Sequence, residues 1–106
     1  MSTAAKTAPA RRLAQLRAVA DPTRLRILAL LKRKGCCSCD EVGARAAGLC
    51  VCDLEKPLGL TQPTITHHLK VLREAGLVEC RRLGPWLYCR RNEEALAELG
   101  AEVASL

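Results

Sequence analysis

Apolar residues along this chain recur at helical spacing in four separate stretches. Leu13, Leu16 and Ala20 mark a first helix that should begin near Arg11. Asp21 then offers an N-cap with Pro22 at the first helical position, predicting a second helix over residues 22–34. Leu25, Leu28 and Leu31 form its apolar face, cations crowd its last turn, and Gly35 ends it. A short helix over residues 52–58 should close at Gly59. The next is capped by Thr61, turns Ile65, Leu69 and Leu72 inward and stops at Gly76. Residues 77–82 and 86–91 flank Leu83-Gly84-Pro85 and read as a β-hairpin with a basic tip. Asn92 caps a last helix whose Leu96, Leu99, Val103 and Leu106 make a narrow seam, equally suited to a partner subunit and to the chain's own core. Residues 1–10 show no apolar period and read as a flexible N-terminal arm, and residues 36–49 as a loop with one short helical turn.

The order helix, short helix, turn, helix and basic hairpin predicts a winged helix-turn-helix, mainly α with an α+β wing. It would hold about five helices and one hairpin in a single domain over residues 11–106, with residues 36–49 as a cysteine-containing insertion. Composition fits that picture: 106 residues suit one domain, and a chain 49% hydrophobic but only 2% aromatic must build its core from Leu, Val, Ala and Ile. Charge adds to it. The formal net charge is +6, with nine Lys/Arg against Asp21 alone in residues 1–35 and six against Glu74 and Glu79 in residues 61–92. The stretches between and after are acidic. Two basic regions folded onto one side would face phosphate.

The helix that opens at Thr61 carries the groups such a surface needs. Gln62, Thr64, Thr66 and His67 lie near its start, where a helix-turn-helix presents side chains to base edges. His68 and Lys70 are candidates for phosphate, and Arg81, Arg82, Arg90 and Arg91 on the hairpin for phosphate or the minor groove. His67 and His68 point about 100° apart on a helix and do not chelate one ion together.

Seven cysteines are an odd number, and no N-terminal apolar stretch resembles a signal peptide, so a cytoplasmic protein with reduced thiols is expected. No apolar run approaches membrane-spanning length. Clustered thiols then indicate a metal or redox site. Cys50 and Cys52 lie ten residues ahead of the DNA-reading helix; in a regular helix they would be separated by about 200°, so joint binding of one ion requires a distorted helix start. Cys80 and Cys89, one on each hairpin strand and within reach of each other, read as exposed or half-packed residues outside the site, with a redox or accessory metal role as the alternative. The chain shows neither a Gly-rich phosphate loop nor a base-oriented nucleophile, so an enzyme is not expected.

Three segments, Ala20-Asp21-Pro22-Thr23-Arg24-Leu25-Arg26-Ile27, Leu49-Cys50-Val51-Cys52-Asp53-Leu54 and residues 60–78, make the sequence resemble the ArsR/SmtB family of metal-sensing bacterial repressors. The resemblance covers about residues 12–104. It implies a homodimer joined by its first and last helices, bound to palindromic operator DNA without metal and released by it. It also implies a thiolate sensor at Cys50 and Cys52. The family's arsenic-sensing pattern has a third cysteine one turn later, where this chain has Glu55, so Cys36, Cys37 and Cys39 become the candidates for completing the set, from the same subunit or its partner, unless they form a site of their own. Three thiolates suit arsenite or antimonite; four suit Cd(II), Pb(II) or Zn(II). No organic cofactor is expected, and a thiol-redox or iron–sulfur switch on the same fold is the further alternative. Asp53 reads as a helix cap or a support for the ligands.

Overall fold

A computed structural model of the chain describes residues 8–32 and 49–106. The described elements run α1 (Ala8–Val19), α2 (Pro22–Leu30), β1 (Leu49–Cys50), α3 (Cys52–Leu58), α4 (Gln62–Glu74), β2 (Val78–Leu83), β3 (Trp86–Arg91) and α5 (Glu93–Ala104). The winged helix-turn-helix order is present. Helix α1 begins at Ala8, inside the stretch read as an arm, with Pro9 in the first turn, where a missing N–H leaves no helical bond unmade.

Asp21 caps α2 as expected, its carboxylate accepting from the Arg24 N–H at 2.9 Å. The helix ends at Leu30, short of the predicted Lys34, because the Lys32 N–H reaches back only to the Ala29 carbonyl and tightens the turn. Leu25 does not face inward: it is 54% exposed, whereas Ile27, Leu28, Leu30 and Leu31 are buried. At 100° per residue those four cluster on one side of α2, and Leu25 falls on the opposite side. Gly35 and the Cys36–Cys37–Cys39 cluster lie outside the described residues.

Helices α3 and α4 form the helix-turn-helix proper. The Gly59 N–H closes α3 on the Glu55 carbonyl at 2.8 Å. Thr61 stands at the N-cap of α4 in extended backbone but makes no capping bond; its hydroxyl lies 3.0 Å from that of Thr64. At the far end Gly76 takes φ +79, its N–H donates to Arg73 O, and the Leu77 N–H donates to Leu72 O. This paired closure requires a left-handed residue, and it sends Leu77 back into the core beside Leu72. Leu54 of α3 and Ile65, Leu69 and Leu72 of α4 are fully or almost fully buried, so packing against a shared core fixes the two helices to each other.

The hairpin pairs from Val78↔Arg91 to Leu83↔Trp86 around Gly84-Pro85, with Gly84 at φ +61 as the first loop residue of a tight turn. A third strand, absent from the sequence reading, joins it. Leu49 pairs with Cys89 and Cys50 with Tyr88, giving an antiparallel sheet ordered β1-β3-β2. Two residues are too few to display an alternating pattern, so β1 carries no periodic signal.

Asn92 caps α5 by accepting from the Ala95 N–H at 3.1 Å. The seam of α5 divides along its length: Leu99 is buried and Leu96 half-buried against the chain's own core, while Val103 is 44% and Leu106 96% exposed. Arg12 of α1 pairs with Glu102 of α5 at 2.7 Å, and Leu13, one residue on, is 47% exposed. Among the described residues no helix is long and apolar enough to cross a membrane.

Candidate thiol site and DNA-binding face

Cys50 is the last residue of β1, and Cys52 the first of α3. The chain turns at Val51, whose N–H donates to Leu87 O of the wing at 2.9 Å. That strand-to-helix junction brings the two sulfurs to 2.9 Å from each other. The helix begins at Cys52, where the sequence put it, so Cys50 lies outside it on β1 and the 200° separation of a regular helix does not arise. Sulfurs sharing a tetrahedral ion at about 2.3 Å stand roughly 3.7 Å apart, a separation these side chains reach by small rotations.

Cys50 is buried on Tyr88, with Cys52 and Leu83 packed beside them. Tyr88 is a site residue the sequence did not reveal, because only the unpredicted β1 places it opposite Cys50. Asp53 does not cap α3: the N-cap is Val51, without a side-chain bond. Its Oδ2 is instead buried with no hydrogen-bond partner. Asp53 sits in the first turn of α3, where unpaired N–H groups favour an acidic side chain.

The donor set fits a thiophilic ion but is incomplete. Among the described residues no group of three or more His, Cys, Asp or Glu side chains is arranged to hold one. Cys50 and Cys52 are thus two soft donors at the junction of wing and helix-turn-helix, and a buried carboxylate oxygen without a donor lies next in the chain. The ligand candidates Cys36, Cys37 and Cys39 lie outside the described residues.

On α4 the inward line of Ile65, Leu69 and Leu72 leaves Gln62, Thr64, Thr66, His67 and Lys70 exposed. His68 is different. It is half-buried, and its Nδ1 lies 3.3 Å from Arg24 Nη1. Arg24 also donates to Ala18 O at 2.6 Å and Arg17 O at 3.4 Å, so one guanidinium ties the end of α1 to the recognition helix. Its place three residues after the Asp21 cap was visible in the sequence, but its partners were not. Asp21 has its pKa lowered, chiefly by the Arg24 N–H bond, with burial opposing and the Arg24 and His68 charges helping. The His67 and His68 rings have their centroids 5.6 Å apart and are tilted to each other.

The four hairpin arginines separate in the same way. Arg81 and Arg82 lie exposed on β2 in the half nearer the turn. Arg90, at the second pair from the open end, bonds Glu79 at 3.1 Å. Arg91 is committed to the fold: its side chain is 15% exposed, donates to Leu28 O at 3.0 Å and pairs with Glu93 at 2.9 Å. The basic tip is therefore Arg81 and Arg82. Cys80 and Cys89 also depart from expectation. They face each other across β2 and β3 and are joined by a disulfide, and Cys89 is wholly buried in the core.

A helix-turn-helix domain family matches residues 19–81. The chain is 42% identical over 76 residues to the arsenic resistance transcriptional regulator ArsR1 of Pseudomonas putida, a match covering 72% of this chain and 50% of that protein. It thus spans about half the length of that relative. It is 41% identical over 83 residues to an uncharacterised helix-turn-helix transcriptional regulator of Methanocaldococcus jannaschii, covering 78% and 80% of the two chains. A solved structure described as "Possible transcriptional regulator for arsenical resistance" superposes with a TM-score of 0.68 at 33% identity, covering 87% of this chain and 82% of the other. With its wing, its exposed α4 and its thiol-bearing junction, this chain belongs to the ArsR/SmtB family of helix-turn-helix transcriptional regulators, DNA-binding proteins and not enzymes.

Proposed function

We propose that the protein is a metalloid-responsive repressor whose dimer holds palindromic operator DNA and lets go when arsenite or antimonite is bound by cysteine thiolates. The observation that carries this reading is the 2.9 Å approach of the Cys50 and Cys52 sulfurs at the point where the wing sheet becomes α3. Bound there, the metalloid supplies a centre that takes up three thiolates. Cys50 and Cys52 provide two, and the third comes from Cys36, Cys37 or Cys39, of the same subunit or its partner. A fourth thiolate from the same cluster would shift the preference to Cd(II), Pb(II) or Zn(II).

The coupling follows from connectivity. Cys50 belongs to the sheet that carries Arg81 and Arg82, and Cys52 to the helix whose Leu54 shares a core with Ile65 and Leu69 of α4. Drawing both sulfurs onto a third donor moves wing and recognition helix relative to each other. Metalloid and operator then compete by linkage, with a coupling typically of about 1–3 kcal/mol. Gln62, Thr64, Thr66 and His67 read bases, and Lys70, Arg81 and Arg82 hold phosphate; Arg90 is available to phosphate only by leaving Glu79. His68 and Arg91 serve the fold.

Cys50→Ser and Cys52→Ser test the division of labour. Each should bind the upstream promoter with the unmodified protein's affinity and fail to be released by arsenite. Lost promoter affinity in the metalloid-free variants would refute it.

A further inference from the structure

Cys80 and Cys89 take no part in that reading. They form the third of six cross-strand pairs, between Glu79↔Arg90 and Arg81↔Tyr88, with Cα atoms 4.1 Å apart and a disulfide joining them. The close Cα approach belongs to the non-hydrogen-bonded kind of antiparallel pair, where facing side chains are nearest. Cys89 is wholly buried in the core, whereas Cys80 is only half-buried. An oxidant from solvent therefore meets Cys80 first, and Cys89 stands ready behind it.

We propose that Cys80 and Cys89 are a reversible redox modification site in the wing, oxidised by hydroperoxides and reset by dithiols, that tunes DNA affinity separately from the Cys50–Cys52 pair. The Cys80 thiolate attacks the hydroxyl-bearing oxygen of the hydroperoxide; the O–O bond breaks, Cys80 becomes a sulfenic acid, and the other oxygen leaves as alkoxide or hydroxide and takes a proton from water. Cys89 sulfur then attacks Cys80 sulfur, the S–O bond breaks, the S–S bond forms, and water departs with the Cys89 proton. Two electrons pass from the cysteines to the peroxide. A dithiol reductant returns them by exchange and is itself left as a disulfide.

The disulfide lies one residue below Arg81 and two below Arg82 on the same strand. It pins β2 to β3 where a one-residue slip would turn both guanidinium groups to the opposite faces. The two sulfur pairs also sit on opposite faces of the sheet. Tyr88 packs on Cys50 and Cys52, whereas its neighbour Cys89 packs into the core, so closing one pair does not draw on the sulfurs of the other. The oxidised wing is preorganised and holds DNA more tightly.

The test uses the full chain, fully reduced or treated with hydrogen peroxide, in anisotropy titrations on a duplex of its own upstream promoter, with peptide mapping of each sample. Peroxide should yield the Cys80–Cys89 linkage and tighten binding roughly three- to tenfold, reversed by dithiothreitol. Cys80→Ser should stay at the reduced affinity and still release DNA with arsenite. Cys89→Ala should match it, and because Cys80 is the less buried residue, Cys80→Ser alone suffices if Cys89→Ala does not fold. A peroxide effect that survives in Cys80→Ser, the absence of the linkage, or a linkage formed without change in affinity would each overturn the proposal.

Discussion

His67 and His68 are neighbours in the chain and do unlike work, because one helical step of about 100° carries the second from solvent to the flank that meets Arg24. Replacing His67 by Ala should weaken promoter binding by about 1–3 kcal/mol and leave the melting temperature unchanged, since its ring is exposed and aimed outward. Replacing His68 by Ala should do the reverse. It should lower stability by about 1 kcal/mol in thermal melts, because a guanidinium that braces two helices loses an acceptor. Asp21 supplies a pH signature. Its carboxylate pKa is lowered below 3.8 in the fold, so its contribution is fully present above that value and is lost as pH falls through the depressed one. Melts of the wild type and Asp21→Asn should therefore converge in acid and separate toward neutral pH. The outward residues of α4 were legible from periodicity alone. The contacts of His68 and Arg91 were not, since each partner is distant in sequence: Arg24 for one, the Leu28 carbonyl for the other.

Among the helix ends, those closed by a bonded cap or a left-handed glycine were legible. Asp21, Asn92 and Gly76 each close a helix end by the bond their chemistry favours, and the boundaries they predict hold. Gly76→Ala should lower stability by about 1–2 kcal/mol in denaturant titrations, although a Cβ there meets nothing within 4 Å, because the cost is the left-handed backbone itself. Two features escaped. β1 is two residues long, and its existence depends on β3 lying alongside, so no local pattern announces it. The geometry of the thiol pair inherits that gap: the spacing of Cys50 and Cys52 alone left them apart in a regular helix, and only the strand-to-helix turn brings their sulfurs to 2.9 Å. Leu25 shows the opposite error, an apolar residue at helical spacing that the three-dimensional core does not use.

At the scale of the whole molecule, the proposed function calls for a dimer, and α1 and α5 are the helices we propose for its interface. Leu13 of α1, Val103 of α5 and Leu106 just beyond its end leave apolar surface exposed, and a two-fold pair of α4 helices would match a palindromic operator. Val103→Glu should give a folded monomer in sedimentation, with unchanged helical content and a loss of promoter affinity of tenfold or more. The central claim, that thiolate capture at the wing-to-α3 junction releases DNA, is tested most directly by anisotropy of the reduced protein on its upstream promoter. The duplex would be titrated in turn with As(III), Sb(III), Cd(II), Zn(II) and Pb(II). Release by As(III) and Sb(III) alone is the predicted result; release by none of the five, or by Cd(II) or Pb(II) in place of the metalloids, would contradict it.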